Sequence, residues 1–283
     1  MTSWTTLVSA EELAAAIDHC VVIDCRHDLM NPAIGPEAYA ADHIPGAYFL
    51  SQDTDLAGPK NGRNGRHPLP DRDALAAKLR AAGLDNGKQL VGYDASGGLY
   101  AARLWWLARW LGHRAVAVLD GGIDAWRKAG FPVTREVPAP RTGGFTIGAP
   151  LSQAATADDV LVNVGTGKRL VIDARGPERY RGETEPLDPV AGHIPGAVNR
   201  PYGVNLRPDG RFKPAEALRA EFAAFLGGVA PADVIHQCGS GVSACHNLLS
   251  MAYAGLDTGA LYAGSWSEWV SDPGRPVATG PNP

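Results

Sequence analysis

Two copies of one pattern run through this chain, and the repetition constrains its architecture more than any other feature. Val-Val-Ile-Asp-Cys-Arg at 21–26 returns as Leu-Val-Ile-Asp-Ala-Arg at 170–175, and Asp-His-Ile-Pro-Gly-Ala at 42–47 returns as Gly-His-Ile-Pro-Gly-Ala at 192–197. Val-Gly-Tyr-Asp-Ala-Ser-Gly at 91–97 is matched by Ile-His-Gln-Cys-Gly-Ser-Gly at 235–241, and Gly121–Trp126 by Gly264–Trp269. The offsets are 149, 150, 144 and 143. Such slow drift means two homologous units separated by loop insertions, with a period too long for a solenoid.

Short β-branched runs alternate with helical patterns in both copies. Strands are expected at 20–24, 89–93, 115–119, 169–173 and 233–237, in parallel sheets flanked by helices. The fold class is therefore α/β, twice over. Proline and glycine density from about 132 to 148 marks a linker, which places a first domain at 1–135, the linker proper at 136–148 and a second domain at 149–283. Ser9 with Glu12 forms a capping-box pattern, so residues 9–18 are expected as a helix and not as a signal peptide. The most apolar run, Leu99–Leu111, is interrupted by Arg103 and Arg109 and is too short to span a membrane. Its tryptophans at 105, 106 and 110 fit a helix core face with one residue at the margin.

A formal net charge of −4 argues against nucleic acid as a partner, and an anionic substrate then needs a local basic site. Four cysteines, Cys20, Cys25, Cys238 and Cys245, have no paired spacing, so neither a disulfide framework nor a zinc ribbon is indicated. A reducing, cytoplasmic setting fits best, with no cofactor, metal or membrane contact called for.

Cys238 stands apart from the other three. It lies between an apolar strand and the first turn of a helix, in a loop with Gly239 and Gly241. A tight turn there aims backbone N–H groups inward and the helix N-terminus adds partial positive charge, both of which favour thiolate over thiol. Ligands of parallel α/β sheets sit beyond the carboxyl ends of strands, where Cys238 and its counterpart Asp94 both fall. Asp94 is no sulfur nucleophile, so the first copy is expected to have lost its own chemistry.

Cys238-Gly-Ser-Gly-Val-Ser-Ala-Cys-His-Asn-Leu248, Gly264-Ser-Trp-Ser-Glu-Trp269 and the paired His-Ile-Pro-Gly-Ala segments resemble the tandem-domain rhodanese-type sulfurtransferases, which act on thiosulfate or 3-mercaptopyruvate. The resemblance covers nearly the whole chain. It implies two rhodanese-like domains, a persulfide formed on Cys238, a small anionic sulfur donor held by Arg179, and cyanide or a thiol such as thioredoxin or glutathione as acceptor. It also implies a Ser240, His67 and Asp53 group, as in mercaptopyruvate enzymes, with Gly239, Gly241, Val242 and Ser243 completing the substrate loop. His67 and Asp53 come from the first copy, so the resemblance implies a site in the interdomain cleft.

One position departs from the family pattern. Asp188 stands where the mercaptopyruvate pattern has a second arginine, nine residues after Arg179, which leaves Arg181, Lys60, Arg63 and Arg66 as candidates to compensate and the choice of donor open. Blander roles are open to several of these residues: a solvated loop for His67, a surface pair with Glu178 or Glu183 for Arg179, a turn cap for Asp53, and turn-ordering for His43 and His193. A cysteine phosphatase on a related fold needs an arginine six residues after its cysteine, where this chain has Ala244. A sulfur-carrier or regulatory binding module, loading once and turning over poorly, is the non-enzymatic rival.

Overall fold

The computed structural model describes residues 3–283 and divides into two compact units. Capping opens the first. Ser9 Oγ accepts from the Glu12 N–H and the Glu12 carboxylate accepts from the Ser9 N–H, which satisfies two orphan donors of helix α1, Ala10–Ala16. Strands β1 (Leu7–Val8), β2 (Cys20–Asp24), β3 (Tyr48–Phe49), β4 (Gln89–Tyr93) and β5 (Val116–Leu119) pair in the order β1-β5-β4-β2-β3, all parallel. Helices α2 (Ile34–Ala41), α3 (Arg72–Ala81), α4 (Ala101–Trp110) and α5 (Gly122–Lys128) complete this unit. As α4 predicts, Trp105 and Trp106 are buried and Trp110 is only half-buried.

The second unit repeats the design. Strands β6 (Gln153–Ala155), β7 (Leu170–Asp173), β8 (Ala197–Asn199), β9 (Val234–Gln237) and β10 (Ala260–Tyr262) take the order β6-β10-β9-β7-β8, again parallel. Helices α6 (Ala157–Thr166), α7 (Pro177–Arg181), α8 (Ala215–Leu226), α9 (Ser243–Tyr253) and α10 (Ser265–Trp269) accompany them. Each expected strand is present to within one residue.

Buried polar contacts repeat as faithfully as the strands. At the end of β2 the Asp24 carboxylate takes the Arg26 guanidinium at 2.6 Å; at the end of β7 Asp173 takes Arg175 at 2.7 Å. His43 stacks on Tyr39 with Nδ1 2.8 Å from the Tyr39 carbonyl, and His193 stacks on Tyr180 in the same way. Both histidines are therefore structural.

The unit boundaries depart from simple halves of the chain. Residues 59–69 cluster with the second unit and 207–212 with the first, and the main division falls after Leu151. The expected linker is not a free tether. Arg141, Gly143 and Phe145 donate their N–H groups to the carbonyls of Ala81, Arg80 and Leu84, and the Phe145 ring is buried. Proline and glycine in that stretch set an irregular path over the first unit. No helix among the described residues is long and apolar enough to cross a membrane.

Asp94, after β4, shows what the first unit does with its equivalent of the cysteine loop. Its carboxylate is fully buried and accepts four backbone N–H bonds, from Ser96 (2.8 Å), Gly98 (2.9 Å), Tyr100 (2.8 Å) and Ala101 (2.9 Å). Burial pushes its carboxyl up, while the four bonds favour the charged form. Replacing Asp94 by Ala strands those N–H groups and is expected to cost on the order of 3 kcal/mol. Hydrogen exchange checks it: protection should fall at 96–101 and hold in β9, and unchanged protection at 96–101 would contradict the role.

Candidate active site

Strand β9 delivers Cys238 into a loop closed by backbone bonds from α10. Cys238 C=O accepts from the Trp266 N–H (2.9 Å) and Gly239 C=O from the Ser267 N–H (3.0 Å). Gly241 has φ +74°, and a Cβ there would lie 2.3 Å from the Ala263 carbonyl oxygen, so only glycine fits the turn. The turn aims the Gly241 N–H at Cys238 Sγ, 3.1 Å away. The sulfur is nearly buried, beside the start of α9, where the helix dipole adds positive potential.

A serine with a left-handed backbone completes the loop. Ser265, φ 54°, is the only non-glycine residue with positive φ among those described. Its hydroxyl accepts from the Cys238 N–H (3.0 Å) and donates to the Tyr262 carbonyl (2.8 Å). The first unit has Gly122, φ +57°, at the equivalent position. A side chain is thus carried here at a conformational cost of roughly 1–2 kcal/mol, in return for fixing the cysteine N–H. Ser265 was missed in the sequence, although the Gly122 to Ser265 exchange between repeats was the available clue.

Ser240 Oγ lies 2.7 Å from His67 Nδ1, and both side chains are buried. A solvated loop histidine is therefore excluded. His67 arrives on the 59–69 segment, which is fastened to the second unit: the Arg66 N–H donates to Ser267 Oγ (3.0 Å) and Ser271 Oγ donates to the Arg63 carbonyl (3.3 Å). His67 belongs to the first copy in sequence, while its segment clusters with the second unit. Asp53 does lie in the first unit, after β3, with its N–H on Ser51 Oγ (3.2 Å) and its carboxylate 4.0 Å from His27 Nε2.

Two guanidiniums flank Gly239. A Cβ on that residue would lie 2.8 Å from Arg66 Nη2 and 3.4 Å from Arg179 Nη1. Arg179 pairs with neither Glu178 nor Glu183; Glu185 grips it at 2.7 and 2.9 Å, and Asp188 lies 3.5 Å from its Nη2. Asp188 also forms an ion pair with Arg66. Glu185, which no motif singled out, bridges onward to Arg175 at 3.3 Å. Arg181 is turned away, paired with Glu183 at 2.7 Å.

Val242 is buried at the N-cap of α9 and Ser243 opens the helix. Ala244 is fully buried, so no cation stands where a phosphatase needs one. Behind the loop, Asn205 Nδ2 donates to Asn247 Oδ1 (2.7 Å) and sits 3.2 Å from His246 Nδ1, while Asn247 Nδ2 donates to the Arg200 carbonyl (3.0 Å), bracing α9. His236 is fully buried, and burial pushes its pKa down to about 3, so it is a neutral ring in the strand below the cysteine.

The rhodanese-like domain family matches twice, at residues 9–129 and 156–272. A Pseudomonas aeruginosa protein named "Probable 3-mercaptopyruvate sulfurtransferase" is 46% identical over 278 residues, covering 97% of this chain and 98% of its own. The thiosulfate sulfurtransferase of Bos taurus is 36% identical over 238 residues, covering 82% of this chain and 78% of its own. Among solved structures, SseA from Escherichia coli, described as a 3-mercaptopyruvate sulfotransferase of the rhodanese fold, is similar with a TM-score of 0.79 and 30% identity, over 93% of this chain and 99% of that one.

Loss of the Ser265 hydroxyl isolates its positioning role. Ser265→Ala is expected to lower kcat about tenfold, the equivalent of roughly 1.4 kcal/mol. Ser265→Gly relieves the backbone and should recover stability without recovering rate. Steady-state kinetics beside urea unfolding check this, and full activity in either variant would contradict it.

Proposed function

Because the chain belongs to the rhodanese family and is a tandem-domain sulfurtransferase, we propose that Cys238 carries the transferred sulfur and that 3-mercaptopyruvate is the preferred donor. The observation that carries the donor preference is the 2.7 Å contact between Ser240 and His67, buried two residues beyond the cysteine.

The Cys238 thiolate attacks the donor sulfur and forms Cys–S–S⁻ as the donor's C–S bond breaks, its electron pair passing into the pyruvate enolate. The thiol proton of the donor ends on the product's methyl carbon. A hydroxyl and an imidazole in contact can move that proton, Ser240 meeting the donor and His67 taking and returning the charge. Thiosulfate releases sulfite and needs no proton transfer, so the pair has no work to do with that donor. By the family pattern alone Asp53 is the third member of that group. In the second half-reaction cyanide or a thiol attacks the outer sulfur and frees the Cys238 thiolate.

Asp94 supports the persulfide from within the same chain. Each of its carboxylate oxygens is two bonds beyond Cβ, as the outer sulfur of a cysteine persulfide is, and it collects the N–H groups of residues 96, 98, 100 and 101. The matching backbone in the second unit belongs to Ser240, Val242, Ala244 and Cys245. All four cysteines are free thiols, as suits a reducing compartment such as the cytoplasm.

The test is kcat/KM for both donors with cyanide as acceptor. Mercaptopyruvate should exceed thiosulfate, and Ser240→Ala should cut turnover of mercaptopyruvate by roughly a hundredfold, at the low end of acid–base contributions, while thiosulfate changes less than threefold. Equal losses would remove the proton-transfer role, and a thiosulfate preference would make thiosulfate the donor.

A further inference from the structure

We propose that Asp188 is an internal counter-anion, seated between Arg66 and Arg179 where the donor's charge must go, and that it sets the donor preference of the site. The inference rests on the sulfur-transfer reading above and adds to it a specificity-determining residue.

The placement is specific. Asp188 is nearly buried, with a side chain 5% exposed, and its two carboxylate oxygens divide between the guanidiniums: Oδ1 on Arg66 and Oδ2 toward Arg179 at 3.5 Å. Those are the two cations that flank Gly239, next to the reactive sulfur. The turn holding Asp188 is itself fixed, because the N–H groups of Leu187 and Asp188 both donate to Glu185 Oε1, at 3.1 and 3.3 Å. Glu185 in turn occupies Arg179 from the other side. Neither arginine is an open anion receptor in this arrangement.

The charges around the loop cancel before any donor arrives: Arg66, Arg175 and Arg179 face Asp173, Glu185 and Asp188. An incoming monoanionic keto acid that reaches Arg66 adds one negative charge beside the Asp188 carboxylate. Thiosulfate brings two negative charges against the same fixed carboxylate and is disfavoured. The loss of a second arginine at 188 is thereby offset: Asp188 recruits Arg66 from the 59–69 segment and discriminates by charge.

Binding measured without turnover separates this proposal from the sulfur-transfer reading. In a Cys238→Ala background, calorimetry with thiosulfate should show Asp188→Asn binding about tenfold more tightly than the parent, and pyruvate, as a monoanionic keto-acid probe, gaining less than threefold. Asp188→Ser, read in the same way, covers the case in which the asparagine variant does not fold. Unchanged or weaker thiosulfate binding would overturn the proposal, since it would make Asp188 an anchor for the arginines and not a competitor. An equal gain for both anions would remove the discrimination by charge. Turnover of the wild-type protein with either donor reports on sulfur transfer independently, so the two ideas fail separately.

Discussion

The Gly241 N–H turns toward the Cys238 sulfur from 3.1 Å, and the loop around it is built to hold that turn. Strand β9 ends where the carboxyl ends of parallel strands open a crevice, Gly241 supplies the left-handed step, and α9 begins immediately behind. Hydrogen bonds from α10 close the loop on the far side, and the Ser265 hydroxyl fixes the cysteine's own N–H.

The two units show one solution used in two ways. In the first, a carboxylate grown from Asp94 fills the cradle permanently and the loop is a structural plug. In the second, the Cys238 thiol occupies the same position, with the Gly241 N–H 3.1 Å from its sulfur. Gly122 and Ser265 repeat the contrast: the plugged loop keeps the unstrained residue, whereas the working loop carries a strained serine whose hydroxyl holds Cys238. Strain of this kind at a reactive position fits a site organised for chemistry ahead of stability.

Much of this was legible in the sequence because it is local. Short β-branched runs and the repeated Ile-Asp-x-Arg and His-Ile-Pro-Gly-Ala segments give the strands and turns, and Cys238, followed by Gly239 and Gly241, marks the loop at the end of β9. What was not legible depends on contacts distant in sequence. Residues 59–69 cross to the second unit because Arg66 and Arg63 find Ser267 and Ser271, some two hundred positions away. The partnership of Arg179 with Glu185, and the seat of Asp188 against Arg66, have no spacing rule behind them. The segment expected to be a tether has the composition of one, yet Phe145 needs burial and its neighbours find carbonyls to bond. Composition reports flexibility of the chain in isolation, and packing decides what that flexibility becomes.

The central claim is that Cys238 holds a second sulfur between two half-reactions. Intact-mass measurement of protein treated with 3-mercaptopyruvate or thiosulfate reads it directly. The account predicts about 32 Da of added mass, the sulfur of a persulfide, removed by cyanide and absent from Cys238→Ser. No gain with either donor, or a gain that survives in Cys238→Ser, would contradict it.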